Sequence, residues 1–162
     1  MITLVLGGAR SGKSAAAERL AGRLTQPVTY VATASVTDDD MAARVARHRA
    51  RRPPEWSTVE SGPELADLLA GLRGTVLVDS LGAWLAGREG FVVDAGRLCQ
   101  SLRERAADTI VVSEEVGLGV HPSTESGNRF RDALGELNQT VAEVAERVVL
   151  VVAGRLLPLG PV

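Results

Sequence analysis

A mostly parallel α/β sheet with helices on both faces is the fold this 162-residue sequence predicts, on three observations. Apolar runs at 2–6, 28–32, 75–79, 109–113 and 148–152 alternate with stretches of helical spacing. A parallel sheet covered on both sides reads this way in sequence. The first run leads straight into GGARSGKS, Gly7 to Ser14, and that octapeptide leads straight into Ala15-Ala16-Ala17-Glu18-Arg19-Leu20. Lys13, inside the octapeptide, is the only lysine in a chain that otherwise uses arginine for positive charge. Together these predict an α/β fold of the P-loop type.

Gly7, Gly12, Lys13 and Ser14 fit the spacing G-x-x-x-x-G-K-S between a predicted strand and a predicted helix. Glycines in such a loop let backbone N–H groups close around phosphate oxygens, and the helix N-terminus adds partial positive charge. Lys13 is placed to reach β- and γ-phosphates and the Ser14 hydroxyl to ligate Mg²⁺. Glycine-rich turns also serve plain strand-to-helix connections, but the flanking elements and the lone lysine favour a nucleoside triphosphate site.

The length predicts one domain over residues 1–162. A net charge of −2 gives no global attraction to nucleic acid or to an anionic membrane. No apolar run approaches the ~20 residues that span a bilayer. The first residues already read as strand and phosphate loop, so no removable signal peptide is expected, and the predicted location is the cytoplasm. Cys99 stands alone, which excludes an intrachain disulfide and a cysteine zinc site; it reads as a small buried hydrophobe.

The remaining elements follow in order. After Ser14, Ala16/Ala17, Leu20 and Leu24 keep helical spacing, and Pro27 closes the turn into strand 28–32. Thr33-Ala34-Ser35 then lies at the carboxyl end of that strand, where open α/β sheets bind ligands. Asp38-Asp39-Asp40 opens a helix over 41–49 whose last turn carries arginines, and Pro53-Pro54 ends it. Trp56 to Glu60 reads as a short strand, and Ser61-Gly62-Pro63-Glu64 has capping-box spacing before a helix through Leu72. Strand 75–79 ends in a carboxylate, and a short helix covers 81–86. Asp94 caps a helix to about residue 107, and residues 116–127 read as loop. A long helix over 128–146 precedes the last apolar strand, and the tail from Gly154 carries a short edge strand.

Beyond the loop, Asp79 ends an apolar strand, where a P-loop protein keeps a Mg²⁺-orienting carboxylate and where such a strand is expected beside the loop; an ordinary strand terminator or helix cap is the other reading. His48 has Arg44, Arg51 and Arg52 on its helical rows and Arg47 and Arg49 as neighbours. Guanidinium groups favour the neutral imidazole that a nucleophile requires and stabilise phosphate charge. The alternative puts His48 on an apolar face with Met41 and Val45, its arginines simply solvated. His121 is expected in a solvated loop, and Trp56 and Trp84 as packing residues. Basic and aromatic residues are not interleaved, so nucleic-acid binding has no support. A guanine-specific Asn-Lys-x-Asp signature would need a second lysine, which rules against a Ras-like switch.

The sequence also resembles the bifunctional adenosylcobinamide kinase/adenosylcobinamide-phosphate guanylyltransferase family of cobalamin biosynthesis. The resemblance rests on GGARSGKS at 7–14, YVATA at 30–34, DDDMAARVARHRARRP at 38–53 and VLVDSLGAWLA at 76–86. It continues through VVSEEVGLGVHP at 111–122 and NRFRDALGELNQTVAEVAERVVLVVAG at 128–154. It implies a RecA-like fold, a homotrimer and two reactions: phosphorylation of the aminopropanol hydroxyl of adenosylcobinamide, then transfer of GMP from GTP to the product. The family's guanylylated histidine falls on His48. Nucleotide contacts are implied at Gly7, Gly8, Ala9, Arg10, Ser11, Gly12, Lys13 and Ser14, at Thr33, Ala34 and Ser35, and at Arg49, Ala50, Arg51, Arg52, Glu60 and Asp79. GTP, with ATP as a second phosphoryl donor, and Mg²⁺ on Ser14 and Asp79 are the implied cofactors; a corrinoid is the implied substrate. Two positions depart from the pattern: Glu114 stands where the family usually has Asn, and the tail 157–162 lacks the family's lysine. A P-loop kinase of another small alcohol, or a nucleotide-binding regulatory protein, are the competing readings; neither needs a covalent nucleotide.

Overall fold

The computed structural model describes residues 1–34 and 52–161. Seven strands form one sheet in the order β3-β2-β4-β5-β1-β6-β7: β1 Ile2–Gly7, β2 Val28–Ala32, β3 Ser57–Glu60, β4 Thr75–Asp79, β5 Thr109–Glu114, β6 Arg147–Val152 and β7 Arg155–Leu159. All pairings are parallel except β6 with β7. The described helices are α1 Lys13–Ala21, α2 Leu65–Gly71, α3 Leu81–Ala86, α4 Ala95–Glu104 and α5 Glu125–Ala142. None is long and apolar enough to cross a membrane.

The period of two along the central strands sorts the core into two layers. Val5, Leu77, Ile110, Val112, Val149 and Val151 face α1, whose Ala16, Ala17 and Ala21 let the helix lie close to the sheet; Tyr30 and Trp56 complete this layer. Ile2, Leu4, Leu6, Val76, Val78 and Val111 point the other way, against the leucines of α2, α3, α4 and α5. Trp84 packs in the second layer and donates its indole N–H to the Pro63 carbonyl at 3.1 Å. Both tryptophans are therefore packing residues, and Cys99 on α4 is buried in the same layer as Trp84.

Three expectations need correction. The Ser61–Glu64 capping box does not form: the Ser61 hydroxyl turns to the Gly62 carbonyl, and Glu64 precedes α2 without a side-chain cap. Gly62 at φ +57 sends the chain away from the geometry a box requires. Helix α4 stops at Glu104, three residues short of the expected end, where Arg105 turns extended. Helix α5 starts three residues before Asn128, because the Thr124 hydroxyl accepts from the Gly127 N–H and caps it, and ends at Ala142. Strand β5 separates β4 from β1, and the Ser14 and Asp79 side chains meet across it. The predicted helix over 41–49 lies outside the described residues.

The β6–β7 hairpin turns on Ala153 and Gly154, both at positive φ, as a two-residue turn between twisted strands requires. The apolar tail thus becomes an antiparallel edge strand, as its prolines and short length suggested.

Candidate active site

The carboxyl ends of β2, β4, β5 and β1 lie in register, with Ala32 opposite Asp79, Asp79 opposite Val112, and Glu114 opposite Gly7. At this edge β1 leaves the sheet and residues 8–12 curl into the start of α1. A Cβ on Gly7 would meet Ser11 Oγ at 2.5 Å and the Val151 carbonyl at 3.0 Å, so only glycine lets the loop close this tightly. Gly12 sits at φ +92 as the residue before α1. The loop is tied from both sides: Glu115 N–H donates to the Gly7 carbonyl at 3.0 Å, and Gly154 N–H to the Ser11 carbonyl at 2.8 Å. Amides of Ala9, Arg10 and Gly12 make no hydrogen bond among the described residues. Such a ring of unpaired N–H groups at a helix N-terminus fits a polyphosphate.

Lys13 leans back across the loop, donating to the Gly8 carbonyl at 3.4 Å and pairing with Glu114 Oε1 at 3.5 Å. The Ser14 hydroxyl donates to Asp79 Oδ1 at 3.3 Å, so the one-strand gap between β1 and β4 is bridged by side chains. A hydroxyl and a carboxylate side by side form a hard-oxygen donor pair that fits Mg²⁺, with phosphate and water completing its shell. Among the described residues no cluster of three or more His, Cys, Asp or Glu could hold a metal ion without such help. Asp79 is held in turn: Tyr30 OH donates to Oδ2 at 3.0 Å. Burial, and then the Asp79 charge, push the Tyr30 hydroxyl far above the ordinary tyrosine range, so it stays a donor. The Arg52 guanidinium stacks on the outer face of that ring, 3.7 Å from its centroid, and donates to Thr58 Oγ1 at 3.2 Å.

The chain matches the family described as cobinamide kinase / cobinamide phosphate guanyltransferase over residues 3–159. It belongs to the CobU family. This CobU-family chain is 44% identical to the bifunctional adenosylcobalamin biosynthesis protein CobP of Pseudomonas aeruginosa, over 98% of its own length and 97% of that protein's. It is 37% identical to the CobU protein of Salmonella typhimurium and 34% identical to that of Escherichia coli, over 95% of this chain and 97% of each. Among solved structures it resembles an ATPase from the type III secretion system of pathogenic bacteria, with a TM-score of 0.58 at 10% identity, covering 92% of this chain and only 50% of that one. A Pyrococcus horikoshii OT3 protein gives a TM-score of 0.55 at 9% identity over 97% of this chain and 84% of the other. These likenesses show the fold alone, a mostly parallel α/β sheet flanked by helices. Family membership makes the chain an enzyme of the cobinamide kinase and guanyltransferase class.

Within the CobU-family chain the expected site residues fall into three groups. Gly7, Gly8, Ala9, Arg10, Ser11, Gly12, Lys13, Ser14 and Asp79 come together at the loop. Thr33 and Ala34 follow β2, but the Thr33 hydroxyl is engaged by the Ser80 backbone, accepting from its N–H and donating to its carbonyl, both at 2.6 Å. Thr33 therefore shapes the chain after Asp79 instead of offering a free hydroxyl to a ligand. Glu60 ends β3, exposed and four strand steps from β1, roughly 19 Å by ordinary strand spacing. Arg52 lies on the β2–β3 side with Tyr30. Ser35, His48, Arg49, Ala50 and Arg51 lie outside the described residues. His121 is exposed as expected, its Nδ1 2.9 Å from the Pro122 carbonyl.

Two side chains at the site were not read from the sequence as functional. Tyr30 looked like one more apolar strand residue, and only the pairing of β2 with β4 puts its hydroxyl on Asp79. Glu114, noted only as a departure, proves to be partnered by Lys13, Ser80 and Gly82. Tyr30→Phe is expected to keep the fold and to raise the Mg²⁺ concentration needed for half-maximal turnover by about fivefold, since one bond to a carboxylate is lost. A metal titration of the kinase rate checks this; an unchanged midpoint would remove Tyr30 from the site.

Proposed function

We propose that this chain phosphorylates the terminal hydroxyl of adenosylcobinamide with a nucleoside triphosphate and then transfers GMP from GTP to the phosphate product. The supporting observation is the meeting of the phosphate loop with Asp79, Ser14 Oγ at 3.3 Å from Oδ1, in a chain of the CobU family. In the first reaction the acceptor oxygen forms a bond to the γ-phosphorus, the bond to the β-phosphate oxygen breaks, and the hydroxyl proton is released. The loop amides and Lys13 hold the polyphosphate in place, so positioning and charge offset carry the step. Ser14 and Asp79 would hold Mg²⁺, which when bound offsets the charge on phosphate oxygens. GTP serves both reactions in this reading, with ATP able to replace it in the first.

In the second reaction a ring nitrogen of His48 attacks the α-phosphorus of GTP and pyrophosphate leaves. The acceptor's phosphate oxygen then displaces the imidazole, giving adenosyl-GDP-cobinamide and free His48. Two displacements replace one harder encounter between two polyanions. The arginines flanking His48 in sequence, among them Arg49, Arg51 and Arg52, supply compensating charge. The same reading has the enzyme act in the cytoplasm as a homotrimer, with the corrinoid as its small-molecule partner.

The test is incubation with Mg²⁺ and GTP labelled at the α-phosphate, followed by denaturing separation. An acid-labile, base-stable adduct is expected, discharged by adenosylcobinamide phosphate and absent from His48→Ala protein that still binds GTP. Folded wild-type protein that binds GTP and forms no adduct would overturn the guanylyl-transfer mechanism in favour of a simple kinase.

A further inference from the structure

Glu114 carries an arrangement that the two reactions above do not use. It closes β5 directly opposite Gly7, the residue from which the phosphate loop departs. Its carboxylate is gripped from the α3 side: Ser80 Oγ lies 2.9 Å from Oε1 and 3.0 Å from Oε2, and Gly82 N–H donates to Oε2 at 3.1 Å. A Cβ on Gly82 would stand only 2.1 Å from Oε2, so the first turn of α3 is hollowed to admit this carboxylate. Its own carbonyl accepts from Asn138 Nδ2 at 3.0 Å, which fixes the backbone beneath it. From this built position Oε1 reaches Lys13 Nζ at 3.5 Å. The two side chains are 29% and 12% exposed, so solvent screens the pair much less than a surface ion pair.

An ammonium has three donors. Glu114 and the Gly8 carbonyl occupy two directions around Lys13 Nζ, which aims the third and offsets the charge. A carboxylate fixed there also repels any phosphate that shares the lysine. We propose that Glu114 is a positioning residue for the phosphate loop, whose carboxylate fixes the Lys13 ammonium, attenuates its charge and so sets how strongly the loop prefers di- and triphosphates to monophosphates. This rests on the reading that the loop takes a nucleoside triphosphate.

Glu114→Gln is the discriminating change, because the amide keeps the shape and can still accept from Gly82 N–H while losing the charge. Calorimetric titration of wild type and variant with GTP, GDP and GMP, without added Mg²⁺, reads the effect. GTP and GDP are expected to bind about tenfold more tightly to the variant, from the removed repulsion at part-buried separation, with GMP changed by less than about twofold. Glu114→Asp, which keeps the charge, is expected to retain more of the wild-type ratio between GTP and GMP. If Glu114 only secures α3, Glu114→Gln leaves that ratio unchanged and Glu114→Ala lowers thermal stability without moving it; either result overturns the proposal. Wild-type protein that binds GMP and GTP equally well would overturn the loop's assignment, and the role of Glu114 with it. A normal preference in wild type that survives the substitution overturns the role of Glu114 alone.

Discussion

Lys13→Met is expected to lower both phosphoryl transfer and adduct formation by about a thousandfold, the scale of removing a charged donor from a developing phosphate charge. The side chain has no structural duty that methionine cannot cover. Its two contacts, with the Gly8 carbonyl and Glu114, lie at the site itself, and Glu114 keeps its Ser80 and Gly82 donors when the ammonium is gone. The variant should therefore fold and show native thermal stability within about 1 kcal/mol. His48→Ala gives the contrasting pattern: adduct formation disappears while the kinase rate survives. Steady-state kinase assays beside the α-phosphate labelling experiment separate the two. A Lys13→Met enzyme within about tenfold of wild type would mean that the loop amides carry the polyphosphate without the lysine.

Arg105→Ala is expected to cost about 3 kcal/mol of folding stability, far from the site. The guanidinium sits past the end of α4 and gathers carbonyls at and just after the end of α2. Nη1 donates to Leu69 and Leu72, each at 2.8 Å, and Nη2 to Gly74 at 2.6 Å, while Nε donates to Thr109 Oγ1 at 2.8 Å. One planar fork thus holds the turn before β4 against the first residue of β5. Burial lowers the pKa of Arg105, yet arginine starts so high that it stays charged in any folded state. Alanine removes all four of these donor contacts at partly buried acceptors, and lysine cannot reach four acceptors from one point. Urea or thermal unfolding measures the loss; Arg105→Lys should recover only a small part of it. A cost below about 1 kcal/mol would mean that water replaces the fork.

The sheet was legible because each buried strand is an apolar run bounded by turn residues, and GGARSGKS announces both the end of β1 and the start of α1. The Ser14–Asp79 pairing was anticipated in chemistry, and it forms across the intervening β5. What escaped depends on contacts between distant positions. Tyr30 meets Asp79 across 49 residues, and Glu114 meets Ser80 across 34. No local pattern encodes either. Helix ends failed for a different reason: Gly127 reads as the end of a loop and Gly62 as part of a capping box. Yet Gly127 donates to the Thr124 cap inside a helix, whereas Gly62 at positive φ defeats a cap that the spacing invites. The arginine-flanked His48 was readable only as chemistry in a sequence, with its weight coming from the family resemblance.

The place of β1 between β5 and β6 has a consequence for how the molecule is made. Ile2 pairs with Thr109 and Thr3 with Arg147, so β1 waits during synthesis for partners more than a hundred residues later. Closing such long loops is slow, and an unpaired apolar strand is prone to associate with other chains in the meantime. The strand that launches the phosphate loop is therefore among the last to be seated, and nucleotide added during synthesis can stabilise the molecule only after residues 147–151 have emerged to complete the pairing of β1.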